Sequence, residues 1–507
     1  MKKFRLFFLA IMAVSAVLLT ASCNKDDDTD PATVQMDVSP SSLLLAADDA
    51  TSHEITVSVS WPVDIQALVA ADWCHLTLKT TTSLQRFYDL TVDANTSAEP
   101  RSCSVKFFIS GLEKGTLLVT QGGVNVEPEK PVAVKPENPA SFLGLGWNLG
   151  NQFDAHNNGV AGETFWGNAA ATQATMNAVK AAGFNSVRIP VTWMGHIGEA
   201  PGYKIEDAWL DRVAEVVGYA ENAGLKVIVN IHHDGADSKY WLDIKNAATS
   251  AETNTRVKAE LSALWSQIAK KFTSKGDFLV FESMNEIHDG GWGWGANRND
   301  GGKQYAVFNE WQQVFVDAVR AAGGENATRW LGIPTYCTNI DLGDNLKLPT
   351  DPASRLLVAV HCYEPYEYTL NNKYSEWGHT GSASKKPSSG EKELVAEFDK
   401  VLNKWTRKGV GAYIGEFGCT HRADSRAETF RKYYLEYYTK AASDRNIPVI
   451  YWDNGATGEG AEAGGIINHS TGAYINNGAD IVAVMTKGYH TTDASYTLES
   501  VYQGAPK

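Results

Sequence analysis

Two kinds of hydrophobic pattern divide the chain. From about residue 34 to residue 122, apolar and polar residues alternate in short segments separated by turn residues. An alternation of period two is typical of strands with one buried face. The segments that it predicts as strands are 54–60, 88–92, 104–109 and 116–120. We therefore predict a small all-β sandwich over residues 34–122.

The pattern changes beyond residue 140, where continuous apolar runs alternate with helix-like segments. Such a βα repeat is typical of a parallel barrel. The eight predicted strands lie near 144–151, 186–193, 226–234, 277–286, 330–337, 356–365, 410–418 and 448–455. Helices are predicted over 172–182, 207–223, 256–272, 305–322, 392–407 and 427–444. The predicted fold class is α/β, a (β/α)8 TIM barrel over residues 140–507.

Two regions follow neither pattern. Residues 123–139 carry four prolines among Glu and Lys with no apolar period, which predicts a semi-rigid linker. At the N-terminus, basic residues precede an apolar run from 6 to 19 that is too short for a membrane span. This arrangement is typical of an export signal. We predict a signal peptide over residues 1–22 and an acidic tether over 23–33.

The end of the signal segment, Leu19-Thr20-Ala21-Ser22-Cys23, resembles a bacterial lipoprotein box. The resemblance implies that a lipid is attached to Cys23. The run Asp26-Asp27-Asp28 resembles the acidic tag of surface lipoproteins in Bacteroides-like bacteria. We therefore expect a cell-surface protein held to the outer membrane by a lipid anchor. The alternative is an ordinary secretory signal that ends in a cysteine by chance.

Composition narrows the class of partner. The 507 residues include 45 basic and 59 acidic ones, a net charge of −14, which disfavours nucleic acid. Fifteen Trp and twenty Tyr are a high aromatic content, and aromatic faces stack on the apolar faces of sugars. The aromatic content fits a polysaccharide partner, although core packing also uses such residues, and we expect a monomer.

The cysteines predict no cross-linked framework. Beyond Cys23, five remain at scattered spacings, and an odd number so placed suggests neither a disulfide framework nor a CxxC metal pattern. They are Cys74, Cys103, Cys337, Cys362 and Cys419. The last three fall in or just after predicted barrel strands, so buried free thiols are expected there.

Two apolar runs carry the candidate chemistry. Residues 278–286, FLVFESMNE, end in Glu286, and residues 411–418, GAYIGEFG, carry Glu416 near their end. In a (β/α)8 barrel the carboxyl ends of the strands form the floor of the active site. Two glutamates delivered by two such strands suit glycoside hydrolysis, one as acid and one as nucleophile or base.

Seven motifs in chain order resemble glycoside hydrolase family 5. They are GWNLGN at 146–151, VRIPVTW at 187–193, NIHHD at 230–234, NE at 285–286, HCY at 361–363, GEFG at 415–418 and YWD at 451–453. The segment ETFWG at 163–167 looks most like subfamily 4, the endo-β-1,4-glucanases and xyloglucanases. The resemblance implies a retaining, endo-acting hydrolase of xyloglucan, mixed-linkage β-glucan or cellulose-type chains.

The resemblance also implies roles for single residues. Glu286 matches the family's acid/base, Glu416 its nucleophile, and Arg188 the arginine beside the nucleophile. The acid must hold a proton near neutral pH, so we expect its pKa to be raised. The supporting residues implied are Asn285 for the sugar 2-hydroxyl, His232 for the wall of subsite −1, His361 beside the acid/base, Tyr363 beside the nucleophile, and Trp452 under the −1 sugar.

Two loops are predicted to set specificity. Residues 290–302 follow the acid/base and carry Trp292 and Trp294 among glycines. A polar loop does not normally expose two tryptophans without a binding partner. The alternative is a loop folded back onto the barrel. The second loop, 366–392, is a further candidate subsite through Tyr374, Trp377 and His379.

The N-terminal region resembles the BACON domain, an immunoglobulin-like module of Bacteroidetes. The residues that carry the resemblance are Trp61, ADWC at 71–74, Asn95, Arg101 and TQG at 120–122. A spacer role is favoured. The alternative is glycan binding by exposed Trp61 and Trp73.

Other chemistries are less well supported. His232 and His233 are adjacent, and adjacent strand residues point to opposite faces, so we predict no metal site. No dinucleotide or phosphate-loop spacing occurs, so no cofactor is expected. A mannanase or xylanase on the same barrel is one alternative function. A non-catalytic glycan-binding lipoprotein is another, although the presence of both Glu286 and Glu416 argues against it.

Overall fold

The computed structural model describes residues 31, 33–97, 99–123 and 135–507. The predicted signal peptide, Cys23 and most of the predicted tether and linker lie outside these residues. The chain divides into two compact units, Met1–Val132 and Ala133–Lys507.

The described residues of the first unit form eight strands. They are β1 (Met36–Ser39), β2 (Ser42–Leu45), β3 (His53–Val59), β4 (Gln66–Val69), β5 (Cys74–Thr81), β6 (Gln85–Val92), β7 (Arg101–Ile109) and β8 (Leu112–Gln121). They form two four-stranded sheets, in the orders β1-β3-β6-β5 and β2-β8-β7-β4. Neighbouring strands are antiparallel except β2 and β8, which run parallel. The all-β prediction for this region is confirmed.

Alternation along the strands accounts for the packing of the two sheets. In β7 every second residue from Cys103 to Ile109 is buried. One apolar cluster combines inward residues of both sheets, such as Ile55 and Leu90 with Val105 and Val119. The sheets therefore pack face to face. The sequence pattern missed β1, β2 and β4, which have four residues each, and β5, which is exposed along most of its length.

The second unit contains a closed barrel of eight parallel strands. They are β9 (Leu145–Leu149), β12 (Ser186–Ile189), β13 (Lys226–Asn230), β14 (Leu279–Glu282), β15 (Leu331–Pro334), β16 (Leu356–His361), β17 (Gly411–Phe417) and β18 (Val449–Asp453). A two-residue hairpin, β10 (His156–Asn157) with β11 (Val160–Ala161), lies in the loop after β9. All eight barrel strands match predicted ones, and the (β/α)8 fold class is confirmed.

Ten α-helices accompany these strands in the described part of the chain. They are α1 (Gln173–Ala181), α2 (Asp207–Asn222), α3 (Ile244–Ala247), α4 (Ala251–Lys271), α5 (Lys303–Ala321), α6 (Tyr366–Thr369), α7 (Glu391–Lys404), α8 (Ser425–Asp444), α9 (Gly478–His490) and α10 (Leu498–Gln503). The six predicted helices correspond to α1, α2, α4, α5, α7 and α8. Helix α9 was not predicted, because it carries Gly478 at its start and Gly488 near its end, and glycine weakens a helical pattern.

The inside of the barrel is layered. Ile228, Val280 and Ile450 belong to a buried apolar cluster of inward-facing side chains. Because side chains alternate along a strand, the residue two positions further on faces the same interior. That rule places Asn230, Glu282 and Trp452 in the next layer, towards the carboxyl ends of the strands.

The observed strands end one to four residues before their predicted ends. The apolar pattern continues into the first turn after each strand, so it does not locate the last hydrogen-bonded pair. Most of the candidate site residues lie in this short region beyond or at the end of the ladder.

The end of the predicted linker contacts the barrel unit. Asn138 Nδ2 donates to the carbonyl oxygens of Ala412 at 2.8 Å and Asn446 at 3.0 Å. Within the described ranges, no helix is both long enough and apolar enough to cross a bilayer.

Candidate active site

A pocket of about 680 Å³ opens at the carboxyl ends of the barrel strands. It brings together seven of the ten barrel residues proposed from the sequence as site residues. Its lining includes Glu286, Glu416, His232, Tyr363, Trp452, Trp292 and Trp294, and an adjoining cavity of about 230 Å³ is lined in part by Asn285. Arg188 and His361 lie behind this lining and bond to it.

Arg188 on β12 is the centre of the polar layer. Its side chain is fully buried. Nη1 donates to Glu416 Oε1 at 2.7 Å and to Asn148 Oδ1 at 3.0 Å, and Nη2 donates to Glu282 Oε1 at 2.7 Å and to Asn285 Oδ1 at 2.8 Å. Burial opposes its charge, but Glu282 and Glu416 outweigh burial and raise the pKa of Arg188. The guanidinium therefore fixes two carboxylates and two amides at once.

Glu282, at the end of β14, was not proposed from the sequence. Besides Arg188, it accepts hydrogen bonds from Tyr413 Oη at 2.6 Å and Asn230 Nδ2 at 2.9 Å. Burial alone raises the pKa of Glu282, but the charge of Arg188 prevails and holds it below the usual value. The sequence did contain a signal, because a glutamate inside an apolar run is rarely buried without a partner.

Glu286 and Glu416 face each other across the pocket. A carboxylate oxygen of each and a ring nitrogen of His361 all lie within 4.8 Å of one another. Glu416 Oε1 is bonded by Arg188, and Oε2 accepts from Tyr363 Oη at 2.9 Å. The Glu286 side chain is 24% exposed, against 7% for Glu416. The pair thus combines one rigidly held carboxylate with one that is open to the pocket.

His361, the last residue of β16, lies between the two carboxylates. Its Nδ1 is 2.7 Å from Glu286 Oε1 and 3.5 Å from Glu416 Oε2. Burial raises the pKa of Glu286, but the hydrogen bond and charge of His361 outweigh it and lower that pKa. Burial also raises the pKa of Glu416, and there it prevails over His361 and Arg188. The raised pKa expected for Glu286 is therefore wrong, because His361 bonds to it directly.

His232 forms one wall of the pocket as a neutral imidazole. Burial lowers its pKa well below the ordinary value. Its Nδ1 accepts from Asn230 Nδ2 at 3.1 Å, since that amide group is a donor, so the ring hydrogen is on Nε2. Nε2 lies 4.0 Å from Glu416 Oε1. His232 therefore presents an N–H donor beside the nucleophile candidate.

Trp452 on β18 provides the aromatic floor of the pocket. Its ring lies parallel to that of His232, with 5.7 Å between centroids and 6° between planes. Gly150 makes this position possible, because a Cβ there would come within 2.9 Å of the indole. The second glycine of the GWNLGN motif is thus explained by the close approach of the Trp452 ring to the backbone.

The prediction that His232 and His233 point to opposite faces of a strand is wrong. β13 ends at Asn230, so His232 and His233 follow the ladder and are not bound by its alternation. Their ring centroids are 4.4 Å apart, and both line the pocket. Burial opposes the charge of His233, but Asp154, 3.7 Å away, outweighs it and raises its pKa.

Aromatic side chains rim the pocket. Trp292 is 57% exposed and Trp294 is 76% exposed, and both belong to the lining. Arg298 lies 4.4 Å over the Trp294 ring and covers part of it. Trp166 and Tyr366 also line the pocket and are exposed, although neither was singled out as a site residue.

The second loop contributes less than expected. Trp377 is fully buried among Tyr433, Tyr434 and Tyr437. His379 bonds to Glu391 through Nδ1 at 2.8 Å. Trp377 is therefore a core residue, because α8 supplies an aromatic surface that the loop sequence alone does not reveal.

Comparison with known proteins agrees with this geometry. The model of the cellulase family, glycosyl hydrolase family 5, matches residues 151–458. Endoglucanase A of Paenibacillus barcinonensis is 35% identical over 337 residues, which cover 62% of this chain and 82% of that protein. The xyloglucan-specific endo-β-1,4-glucanase BoGH5A of Bacteroides ovatus is 29% identical over 464 residues, covering 86% of this chain and 88% of the relative.

Among solved structures, a GH5-4 broad specificity endoglucanase from Bacteroides salanitronis is 59% identical with a TM-score of 0.69. The likeness covers 71% of this chain and 97% of that one.

The contact of His361 with Glu286 predicts a pKa change on substitution. In His361→Gln the imidazole whose hydrogen bond and charge lower the pKa of Glu286 is removed while burial remains, so the pKa of Glu286 should rise. Carboxyl ¹³C chemical shifts of glutamate-labelled protein, assigned by the loss of one signal in Glu286→Gln, measure it. His53→Gln in the N-terminal unit is the control and should leave the titration unchanged. An unaltered Glu286 titration in His361→Gln would contradict the assignment.

Proposed function

The chain belongs to glycosyl hydrolase family 5 and is an endo-acting hydrolase of β-1,4-glucans, and from that premise we propose that it works with retention, through Glu286 and Glu416. The observation that carries this proposal is the separation of the two carboxylates. Their nearest oxygens lie within 4.8 Å of each other. An inverting enzyme needs a separation of about 6.5 to 9.5 Å between its two carboxyl groups, so that a water molecule fits between them and the sugar.

The first step cleaves the glycosidic bond. Glu416 attacks the anomeric carbon while Glu286 gives its proton to the leaving oxygen. Arg188 and Tyr363 hold the two oxygens of Glu416, so the nucleophile is positioned before substrate arrives. Glu286, more exposed and next to His361, is the carboxyl that reaches the leaving group.

The second step reverses the roles. Water enters on the side of the departed sugar, Glu286 removes its proton, and the covalent bond to Glu416 breaks. The charge of each carboxylate raises the pKa of the other, and forming the covalent ester on Glu416 removes one of these charges, which favours the ionised form of Glu286. Glu286 then acts as a carboxylate base in the second step, which requires one.

Asn285 is placed to act on the sugar 2-hydroxyl. Its Oδ1 accepts from Arg188 at 2.8 Å, which turns the Nδ2 group away from the guanidinium. A contact to the 2-hydroxyl strengthens in the transition state. His232 Nε2 and the Trp452 ring complete the subsite as a donor and a stacking surface.

The aromatic rim supports binding of a polymer. Trp166, Trp292, Trp294 and Tyr366 are exposed at the pocket mouth, where they offer stacking faces to further sugars. We propose xyloglucan, mixed-linkage β-glucan or a cellulose-type chain as substrate. One relative is named xyloglucan-specific and another is described as having broad specificity. Nothing in the comparisons supports the mannanase, xylanase or lectin alternatives.

The N-terminal unit is proposed to be a BACON-like spacer. The ring of Trp73 is covered by the Arg101 guanidinium at 4.3 Å, which leaves that face unavailable to a sugar. Trp61 is 43% exposed and is the stronger candidate for the glycan-binding alternative. We also propose export through residues 1–22 and a lipid on Cys23, which rest on the sequence pattern.

Substitution of each glutamate tests the catalytic roles. On a panel of xyloglucan, mixed-linkage β-glucan, carboxymethyl cellulose, glucomannan and xylan, Glu416→Gln should release no reducing ends above background. Glu286→Gln should lose about 10²- to 10⁴-fold in kcat on the polymer. An aryl cellobioside whose phenol leaves without a proton should largely escape the Glu286→Gln loss in kcat/KM, which reports the first step, while its kcat should still fall because Glu286 is the base of the second step. Glu282→Gln changes a fully buried glutamate that does not line the pocket, and it should not show that leaving-group dependence.

A loss in kcat/KM that is equal for polymer and activated aryl substrate would contradict the acid role of Glu286. ¹H NMR of the first product anomer tests retention independently, and initial release of the α-anomer from a β-glucan would overturn the two-step mechanism.

The exposed rim predicts a binding defect in Trp294→Ala. Loss of one stacking face should raise KM on a soluble β-glucan by about 2- to 10-fold, with a smaller change in kcat. Initial rates over a range of polymer concentrations measure both constants. Trp61→Ala is the matched control, since it removes an exposed tryptophan from the other unit. A rise in KM for Trp61→Ala instead would favour glycan binding by the N-terminal unit.

Lipid attachment is tested by mass analysis of the native N-terminus. Protein isolated from its own membrane should begin at Cys23 with added acyl mass and should lose membrane association in Cys23→Ala. A native chain that retains Lys2, or that begins at an unmodified Cys23, would refute the anchor.

A further inference from the structure

Two buried thiols meet between the sheets of the N-terminal unit. Cys74 opens β5 in one sheet, and Cys103 is the first buried residue of β7 in the other. They are 4% and 7% exposed and belong to the same apolar cluster. Their separation along the chain gave no hint of this pairing.

Backbone contacts bring the two strand starts together. β4 pairs with β7 through Val69 and Val105, and just beyond that pair Ala70 N donates to Ser104 O at 3.3 Å. The chain then turns, with Cys74 N donating to Ala71 O at 3.3 Å, and enters the opposite sheet. Cys74 is therefore only four residues beyond a hydrogen bond to the neighbour of Cys103.

A side-chain contact fixes the same region. The guanidinium of Arg101 lies 4.3 Å over the ring of Trp73. Arg101 precedes Cys103 by two positions on β7, so it lies on the same side of the strand, and Trp73 is the residue directly before Cys74. The turn before Cys74 is thus held against the strand on both sides of Cys103.

The thiols also interact electrostatically. A hydrogen bond with Cys103 raises the pKa of Cys74, and burial adds to it. The same bond lowers the pKa of Cys103, against the effect of burial. The two thiols are therefore close enough to interact across the shared apolar cluster, and a disulfide requires the sulfur atoms to approach to about 2 Å.

We propose that Cys74 and Cys103 form a disulfide that joins the two sheets when the protein meets an external disulfide. The Cys103 thiolate attacks one sulfur of the reagent R–S–S–R and displaces the first R–S⁻, which leaves a mixed disulfide. Cys74, having lost its proton, attacks the Cys103 sulfur and displaces the second R–S⁻. The two protons lost by the cysteines end on the two R–S groups, so the dithiol is oxidised and the reagent reduced.

The bridge has a structural consequence. It encloses the chain from Cys74 to Cys103, which includes β5 and β6, and ties this part of one sheet to β7 of the other. Cross-linking of this kind stabilises a domain largely by restricting its unfolded chain. A compartment outside the cytoplasm, as proposed above, supplies oxidising disulfides.

Peptide mapping of the full-length wild-type protein tests the proposal. The protein is incubated with oxidised glutathione, alkylated without reduction and digested with trypsin. Cleavage after Arg101 and Lys106 isolates Cys103 in a five-residue peptide, which should be found linked to the peptide that ends at Lys79 and contains Cys74. Cys337, Cys362 and Cys419 of the barrel unit should remain alkylated and serve as internal controls.

A thermal shift provides the second measurement. The unfolding transition of the N-terminal unit should rise on oxidation, by on the order of 10 °C, and fall again with a reductant. Cys74→Ala and Cys103→Ala should each abolish the redox dependence. Alkylation of both Cys74 and Cys103 after oxidation, or a glutathione left on each, would overturn the proposal whether or not the variants fold.

Discussion

A guanidinium buried away from water must be neutralised by groups that the fold itself supplies, and this requirement organises the upper layer of the barrel. Arg188 is satisfied by Glu282 below the pocket and by Glu416 at its floor. Breaking a buried pair by removing one partner costs about 3–5 kcal/mol, because a charge is left unpaired. The nucleophile candidate therefore also belongs to the structure, and its position is fixed with the accuracy of a core residue.

The protonation of Glu286 and Glu416 depends on a different neighbour, His361. His361 contacts both carboxylates, and its Nδ1 is nearer to Glu286 than to Glu416. Burial disfavours charge on either glutamate, yet two carboxylates and one imidazole in such proximity cannot titrate independently. The asymmetry needed for catalysis thus arises from the group of three side chains, since each carboxylate has a different set of donors.

The sequence predicted the fold class well because the barrel strands are buried on both faces and read as apolar runs. Glu286 and Glu416 were accessible to the same reasoning, since each ends such a run. Glu282 was overlooked although it stands in the same run as Glu286, because its significance depends on Arg188 and Tyr413, which are distant in sequence. The lowered pKa of Glu286 and the burial of Trp377 depend on His361 and on helix α8, and no local pattern encodes those contacts.

The histidine pair shows a related limit. Alternation holds only while a strand is hydrogen-bonded on its ladder, and β13 ends before His232. Pattern rules therefore fail first at strand ends, where barrel enzymes place their chemistry. The proximity of Cys74 and Cys103 was not predicted for another reason. The crossing from β4 to β5 brings together positions that spacing in the sequence does not relate.

Asn230 connects two parts of the site through a single amide group. Its Nδ2 donates both to Glu282, which neutralises Arg188, and to His232, whose tautomer it sets. Substitutions on the two sides of this amide are therefore not independent, and their free energies should not add. A substitution in the sugar-facing wall that is tolerated while the buried ion pair is intact should therefore become harmful once that pair has been altered.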